Sequence, residues 1–149
     1  MIKRTSLMNK TAGNPCWMMC VVFCGLAVLA ASARGQGTLH IRLIAASNNG
    51  QGISGALSDV QGLLQSNLPF QRFDLLDQAR VALPADRTVS MARGIRVHCV
   101  GHTGQLHVRV SREGHEVVNT TLRLREFRPV ILGGFPHQQG RLLLVLVAQ

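Results

Sequence analysis

Alternation of apolar and polar side chains is the clearest pattern in the chain, and it is most regular over residues 95–124. Successive side chains of a strand point to opposite faces of a sheet, so this alternation predicts half-buried strands. Three alternating runs follow one another, separated by short turns rich in glycine. Their apolar-face positions are Ile95, Val97 and Cys99, then Leu106, Val108 and Val110, then Val118, Thr120, Leu122 and Leu124. The stretch therefore predicts an antiparallel meander with one apolar and one polar face.

The two turns set the register expected for this meander. The first turn is expected to close with Gly101 paired to Gly104. In that register His98 lies opposite His107, and apolar residues meet apolar residues on the other face. At the second turn, a three-residue loop over 113–115 is expected, because it places Val110 opposite Val118, whereas a two-residue loop would place Val108 opposite Asn119.

The polar face of the meander supplies the candidate ligand-binding residues. They are Arg96, His98, His107, Arg109 and Arg123. The planar guanidinium group suits phosphate, sulfate and carboxylate groups, so this face is a candidate surface for an anionic ligand such as an acidic glycan or a lipid headgroup. The alternative is an ordinary solvated sheet face that happens to be rich in arginine. Nucleic acid is not expected, because its binding usually adds aromatic stacking platforms and the chain after residue 33 has no Tyr or Trp.

A metal site on the same face is not predicted. Two facing histidines would supply two ligands, but a protein metal site needs a third or fourth. In the expected register no acidic residue lies in the neighbouring rows, and Arg96 and Arg109 would repel a cation. No cofactor is predicted either.

The rest of the chain adds four further strands and one helix. The predicted strands are Thr38–Ala46, Phe70–Leu76, Val130–Leu132 and Arg141–Ala148, the last apolar on both faces and so expected in the middle of the sheets or between a sheet and the helix. Apolar residues at helical spacing predict a helix over about 54–66, with Ser54 as its N-cap. Residues 81–90 are expected to be a polar connection, and 133–140 a loop. The fold class that follows is α+β or mostly β: a predominantly antiparallel, β-sandwich-like arrangement of six or seven strands with one packed helix.

The N-terminal third predicts export. Basic residues precede the uninterrupted low-polarity run Cys16–Ala31, which ends in Ala31-Ser32-Ala33. A basic region, an apolar region and a small-residue site are typical of a secretory signal peptide, here residues 1–33. An uncleaved anchor is the alternative, but the run is shorter than the roughly 20 residues that span a bilayer. The expected product is a single domain, 34–149, in the periplasm, the cell envelope or the extracellular space.

Removal of the leader changes the charge and the cysteine content. Residues 34–149 hold 13 arginines, no lysine and seven acids, for a net charge of +6 (13 − 7). Cys99 is the one cysteine in this segment, so no disulfide can form within it. Because Cys99 is in phase with Val97, it is expected to be a buried small hydrophobe.

A glycine pattern, Gly50-x-Gly52-x-x-Gly55, lies between a predicted strand and the predicted helix, and Asp77 follows 22 residues after Gly55. This spacing fits a dinucleotide-binding loop in outline, in which the acid would hold the ribose. The alternation of the first strand and the antiparallel meander favour the other interpretation, a flexible loop leading into a capped helix.

No arrangement of nucleophile, base and orienting acid stands out in the sequence, so an enzyme is not predicted. The predicted function is that of a non-catalytic exported or cell-envelope protein that acts through contacts with an envelope or secreted protein. The alternative is a binding module for an anionic ligand, including an acidic polymer or a nucleotide, through the arginine-rich face or the 50–55 loop. Contact with a membrane is expected only through an uncleaved leader.

Overall fold

The computed structural model describes residues 37–149, which form two β-sheets packed face to face. The first sheet has the strand order β2-β3-β1-β9-β8, and the second has the order β4-β5-β6-β7. The strands are β1 (Thr38–Ser47), β2 (Gly52–Ile53), β3 (Arg72–Ala82), β4 (Ala85–Ser90), β5 (Ile95–His102), β6 (Gln105–Arg112), β7 (His115–Leu122), β8 (Val130–His137) and β9 (Gly140–Ala148). The mostly β, predominantly antiparallel, sandwich-like class is confirmed. The predicted signal peptide, 1–33, lies outside the described residues.

The number of strands differs from the six or seven expected, because residues 37–149 contain nine. The predicted polar connection over 81–90 is wrong: β3 continues to Ala82, and β4 occupies most of the remainder. β4 is an edge strand whose outward positions are polar and exposed, while only Ala85 is buried and Val89 half-buried. An edge strand needs few apolar residues, so its sequence is easily taken for a loop.

β9 is the most deeply buried strand, as its apolar sequence predicted. All residues from Leu142 to Ala148 are buried. Strand alternation divides them between two apolar clusters. Leu142, Leu144 and Leu146 face the second sheet, whereas Leu143, Val145 and Val147 face the helical segment. The first sheet is therefore covered on both sides along β9.

The helical segment is shorter than the predicted helix 54–66. A 3-10 helix covers Gly55–Leu57 and a separate α-helix, α1, covers Gln61–Asn67. Ser54 occupies the N-cap position of the 3-10 helix, as predicted, but its hydroxyl makes no capping hydrogen bond. Glycines at 55 and 62 weaken a continuous helix, which explains the break. Leu57, Val60 and Leu64 are nevertheless buried against the first sheet, as their helical spacing predicted.

The three-strand meander is present, but the register of its first hairpin is shifted by two residues. His102 pairs with Gln105, so the turn is Thr103-Gly104. A shift of two leaves every side chain on its original face, so the apolar pattern cannot detect it. Gly101 lies within the pairing instead of closing the turn. Its φ is +116°, and a Cβ there would lie 2.2 Å from the carbonyl oxygen of Gln105, so the position needs a glycine.

The second hairpin is tighter than expected. Its turn is Glu113-Gly114, with φ of 51° and 86°, the positive values that two-residue hairpin turns favour. The predicted three-residue loop is wrong. The predicted pairing of Val110 with Val118 is confirmed, because a β-bulge next to Val110 absorbs the extra residue. The chain then crosses to the first sheet, where β8 extends through most of the loop that was expected over 133–140.

Cys99 provides a test of this packing. Its side chain is fully buried and burial raises the pKa of the thiol to about 11. We expect native Cys99 to react very slowly with a thiol reagent and to react fast after denaturation. Because the unfolded thiol ionises at lower pH than the folded one, the free energy of unfolding should fall as the pH rises above about 9. A Ser90→Cys variant, with its thiol at an exposed strand position, is the positive control, and labelling of native Cys99 at the control's rate would contradict the structure.

Candidate functional site

Four of the five predicted ligand-binding residues lie on one surface, the outer face of the second sheet. Arg96 and His98 project from β5, and His107 and Arg109 project from β6, on the side opposite the buried residues of those strands. Arg123 lies one residue beyond the end of β7 and is exposed. The sequence pattern therefore identified which side chains share this face, because alternation alone determines it.

The two histidines of this face do not lie opposite each other. His98 lies opposite Arg109, and His107 lies opposite Val100, so the predicted facing pair of histidines is wrong. Each histidine shares a hydrogen bond with a threonine of the other neighbouring strand. His98 Nδ1 is 2.9 Å from Oγ1 of Thr88, which lies on β4. His107 Nδ1 is 3.2 Å from the hydroxyl of the residue opposite it on β7, Thr121. Within residues 37–149, no group of three or more His, Cys, Asp or Glu side chains is arranged to hold a metal ion.

An acidic residue does lie in this face, contrary to the expectation from sequence. The Nε atom of Arg109 is 2.9 Å from Glu116 Oε2. Glu116 also accepts a hydrogen bond from Asn119 Nδ2 at 3.2 Å. The bulge in β7 brings Glu116 to this position, and the bulge was not expected. The charge of Arg109 is therefore partly neutralised, which leaves Arg96 and Arg123 as the cations of this face without an acidic partner among the described residues.

The Gly50–Gly55 loop does not have the geometry of a dinucleotide site. β1 and β3 are antiparallel neighbours, whereas that site requires parallel strands joined through the helix. Between the named strands, parallel pairing is limited to two residue pairs of β2 and β3, and a single parallel bridge elsewhere joins Glu126 to Ala148. The acid at the expected spacing, Asp77, accepts backbone N–H groups of Gln78 and Ala92, each at 2.8 Å. Both oxygens of its carboxylate therefore accept hydrogen bonds from the surrounding backbone.

A groove that the sequence did not predict lies between α1 and β8, and we call it the α1–β8 groove. Its volume is about 700 Å³. Apolar side chains form most of it: Leu63, Leu68, Phe70, Ile131 and Leu143, with Arg141 beside them. Leu143 is buried, whereas the other four apolar residues are half-buried. Residues from three distant parts of the sequence meet here, so no local pattern could have indicated the groove.

A second cleft, of about 530 Å³, is polar and includes Ser47, Asp74 and His137 in its lining. These residue types can form a nucleophilic triad when hydrogen bonds connect them. Among the described residues, His137 shares no hydrogen bond with either of the other two. Asp74 instead accepts from Arg72 Nε at 2.7 Å. The cleft therefore brings together the right residue types without the geometry of a triad.

Comparisons with known proteins give no family: no family model, no curated protein and no solved structure matches the chain. No helix in the described part of the chain is both long and apolar enough to cross a membrane. Any functional proposal therefore rests on the residues and surfaces of this chain alone.

Proposed function

We propose that this protein is a non-catalytic exported or cell-envelope protein that acts through protein–protein contacts, and that the α1–β8 groove is its docking site. The observation that carries the proposal is the incomplete burial of four apolar side chains around the groove, with Leu143 buried beside them. Removing apolar surface from water contributes about 25 cal/mol per Å², and the freedom lost on association offsets part of that gain. The location follows from the signal peptide predicted for residues 1–33, so the partner would be an envelope or secreted protein.

Arg141 indicates the chemistry of the partner. Its Nη1 atom donates to the carbonyl oxygen of Gly134 at 2.7 Å, which holds the guanidinium beside the groove. No carboxylate in residues 37–149 pairs with it. A guanidinium binds a carboxylate in a two-pronged arrangement. The occupant we propose is therefore a segment of a partner protein that carries apolar side chains for the groove and an acidic residue for Arg141. The net charge of +6 (13 − 7) over residues 34–149 attracts such a partner.

A peptide library tests the docking site. Random dodecapeptides displayed on phage would be selected against the full exported protein. We expect the enriched peptides to combine two or more apolar residues with an acidic residue. Leu63→Asp should weaken their binding about tenfold or more, because it places a charge in the apolar groove. Arg141→Gln should weaken binding chiefly for the peptides that contain an acidic residue.

The matched control is Val117→Asp, at an apolar position of β7 that is 41% exposed and belongs to the second sheet. Circular dichroism and thermal melting establish that each variant is folded. Peptides that bind Leu63→Asp and Arg141→Gln as well as they bind the unaltered protein would place docking elsewhere. A selection without enrichment would contradict docking of linear segments in the groove.

The second proposed function is binding of an anionic ligand, such as an acidic glycan, by the outer face of the second sheet. It is supported by the proximity of Arg96, His98, His107 and Arg109 on two adjacent strands, with Arg123 just past the third. Side chains on one face of neighbouring strands point the same way, so one ligand can contact several of them. The ion pair of Arg109 with Glu116 limits the positive charge available, which is why docking in the groove is preferred.

Replacing Arg96, Arg109 and Arg123 by Gln together tests this second function. On a heparin matrix the triple variant should elute at a clearly lower salt concentration than a control in which Arg87, Arg125 and Arg128 are replaced. All six residues are exposed, so each change should alter the free energy of unfolding by no more than about 0.5 kcal/mol. Equal elution of the two variants would show a solvated face without specific binding.

A further inference from the structure

A cluster of basic side chains lies on the first sheet, on the side where α1 packs. His40 and Arg42 project from β1, and Arg80 projects from β3 directly opposite His40. Residues two apart on a strand, and residues directly opposite on its neighbour, point to the same face. Gln78 lies opposite Arg42 and points to the same face. These residues line a small pocket of about 230 Å³, which we call the β1–β3 pocket.

An ion pair holds one of the arginines in place. Arg42 Nη1 donates to both carboxylate oxygens of Asp59, at 2.7 and 2.9 Å. The Arg42 side chain is only 12% exposed. The hydrogen bond from Arg42 lowers the pKa of Asp59, so the carboxylate stays ionised. The contacts in the structure use a single nitrogen, Nη1, and a guanidinium has donors on its two other nitrogens as well.

The second arginine has no acidic partner in the described part of the chain. The three ion pairs there involve Arg42, Arg72 and Arg109, and none includes Arg80. Arg80 is exposed and lies beside His40 with its charge uncompensated. With a neutral His40, the cluster of two arginines and Asp59 carries a net charge of +1.

The electrostatics around His40 show the effect of these charges. Its pKa is lowered, first by burial and then by Arg80 and Arg42, while Asp59 opposes the shift. The residue opposite it on β9 is Val147, which is apolar. A proton on His40 is thus disfavoured first by burial and then by the two neighbouring arginines. A bound anion would reverse this, since it would attract the proton instead of repelling it.

We propose that the β1–β3 pocket binds a tetrahedral oxyanion, the phosphate or sulfate group of a free anion or of an acidic glycan. Arg80 supplies the main charge, the free donors of Arg42 supply a positioned guanidinium edge, and His40 donates once it is protonated. This site lies on the other sheet from Arg96 and Arg109 and involves none of the residues of the α1–β8 groove, so it stands independently of both proposed functions.

Proton uptake by His40 gives the site a defined pH dependence. Anion binding raises the His40 pKa, and by linkage the anion binds more tightly as the pH falls through that pKa. Sulfate is the appropriate probe, because it keeps the same charge across the range in which His40 titrates. The dissociation constant of sulfate should be about tenfold lower at pH 5.5 than at pH 8, because the bound anion favours the protonated imidazole.

The experiment is a titration of the full exported protein with sodium sulfate, with the imidazole resonances followed by NMR and chloride keeping the ionic strength constant. The His40 signals should shift, while those of His98 and His115 should stay nearly constant. Arg80→Gln should weaken sulfate binding at both pH values. His40→Gln should remove most of the pH dependence. The matched controls are Arg87→Gln and His115→Gln, which change the same residue types at exposed positions of the second sheet.

Inorganic phosphate and a sulfated disaccharide distinguish the possible sources of the anion. If the disaccharide binds at least tenfold more tightly than sulfate and also loses affinity in Arg80→Gln, the ligand is an acidic glycan. Similar affinities would point to a free anion. The proposal is overturned if sulfate leaves the His40 resonances unmoved, or if Arg87→Gln weakens binding as much as Arg80→Gln does.

Discussion

Burial of the β1–β9 pair on both faces is the interaction on which the rest of the structure depends. Alternate side chains of each strand enter two separate apolar clusters, one between the sheets and one under the helical segment. Leu39, Ile41 and Leu43 of β1 join the first cluster, and Ile44 and Ala46 join the second, because successive side chains of a strand point to opposite faces. β3 and β8 flank this pair in the first sheet, and the second sheet and the helical segment cover its two faces.

The α1–β8 groove and the β1–β3 pocket follow from incomplete cover of the helix-bearing face of the first sheet. α1 has seven residues and is therefore about 10 Å long. The first sheet has five strands and is about 19 Å wide between its outer strands. So short a helix cannot cover such a sheet. On one side the gap is apolar, and it forms the α1–β8 groove. On the other side the gap holds His40, Arg42 and Arg80, and it forms the β1–β3 pocket.

The difference between the apolar gap and the basic gap explains why one face of the sheet offers two kinds of binding surface. Apolar residues near β8 favour a protein segment, because removal of apolar area from water is not directional and tolerates many sequences. The arginines near β3 favour a small anion, because guanidinium groups bind oxyanions with defined geometry. The two surfaces are on the same face of the sheet but use different residues, so each can be altered by mutation without the other.

The meander and the deeply buried β9 could be predicted from sequence, because alternation and an apolar run depend only on the order of residues along one strand. The register of the first hairpin could not, since a shift of two residues keeps Cys99 and His98 on their original faces. The edge strand β4 was not predicted, because only two of its side chains are buried or half-buried. For the candidate site, the residues sharing the outer face were predictable, but the pairing of Arg109 with Glu116 depends on a bulge.

The binding surfaces themselves could not be predicted, for a related reason. The groove joins residues of α1, β8 and β9, and the pocket joins residues of β1 and β3, about 40 positions apart in sequence. Such contacts are set by which strands become neighbours in the sheet. Periodicity within a single segment carries no information about which strands become neighbours, although alternation along β1 does place His40 and Arg42 on one face.

Native-state hydrogen exchange of the β9 amides tests the central claim most directly. If the doubly buried β1–β9 pair underlies the whole fold, the amides of Leu143–Leu146 should exchange only through global unfolding. Their opening free energy should then equal the free energy of unfolding measured with denaturant, while amides of the edge strands β4 and β7 should open at lower free energy. Exchange of the β9 amides at a free energy well below the global value, with the second sheet still protected, would contradict the account.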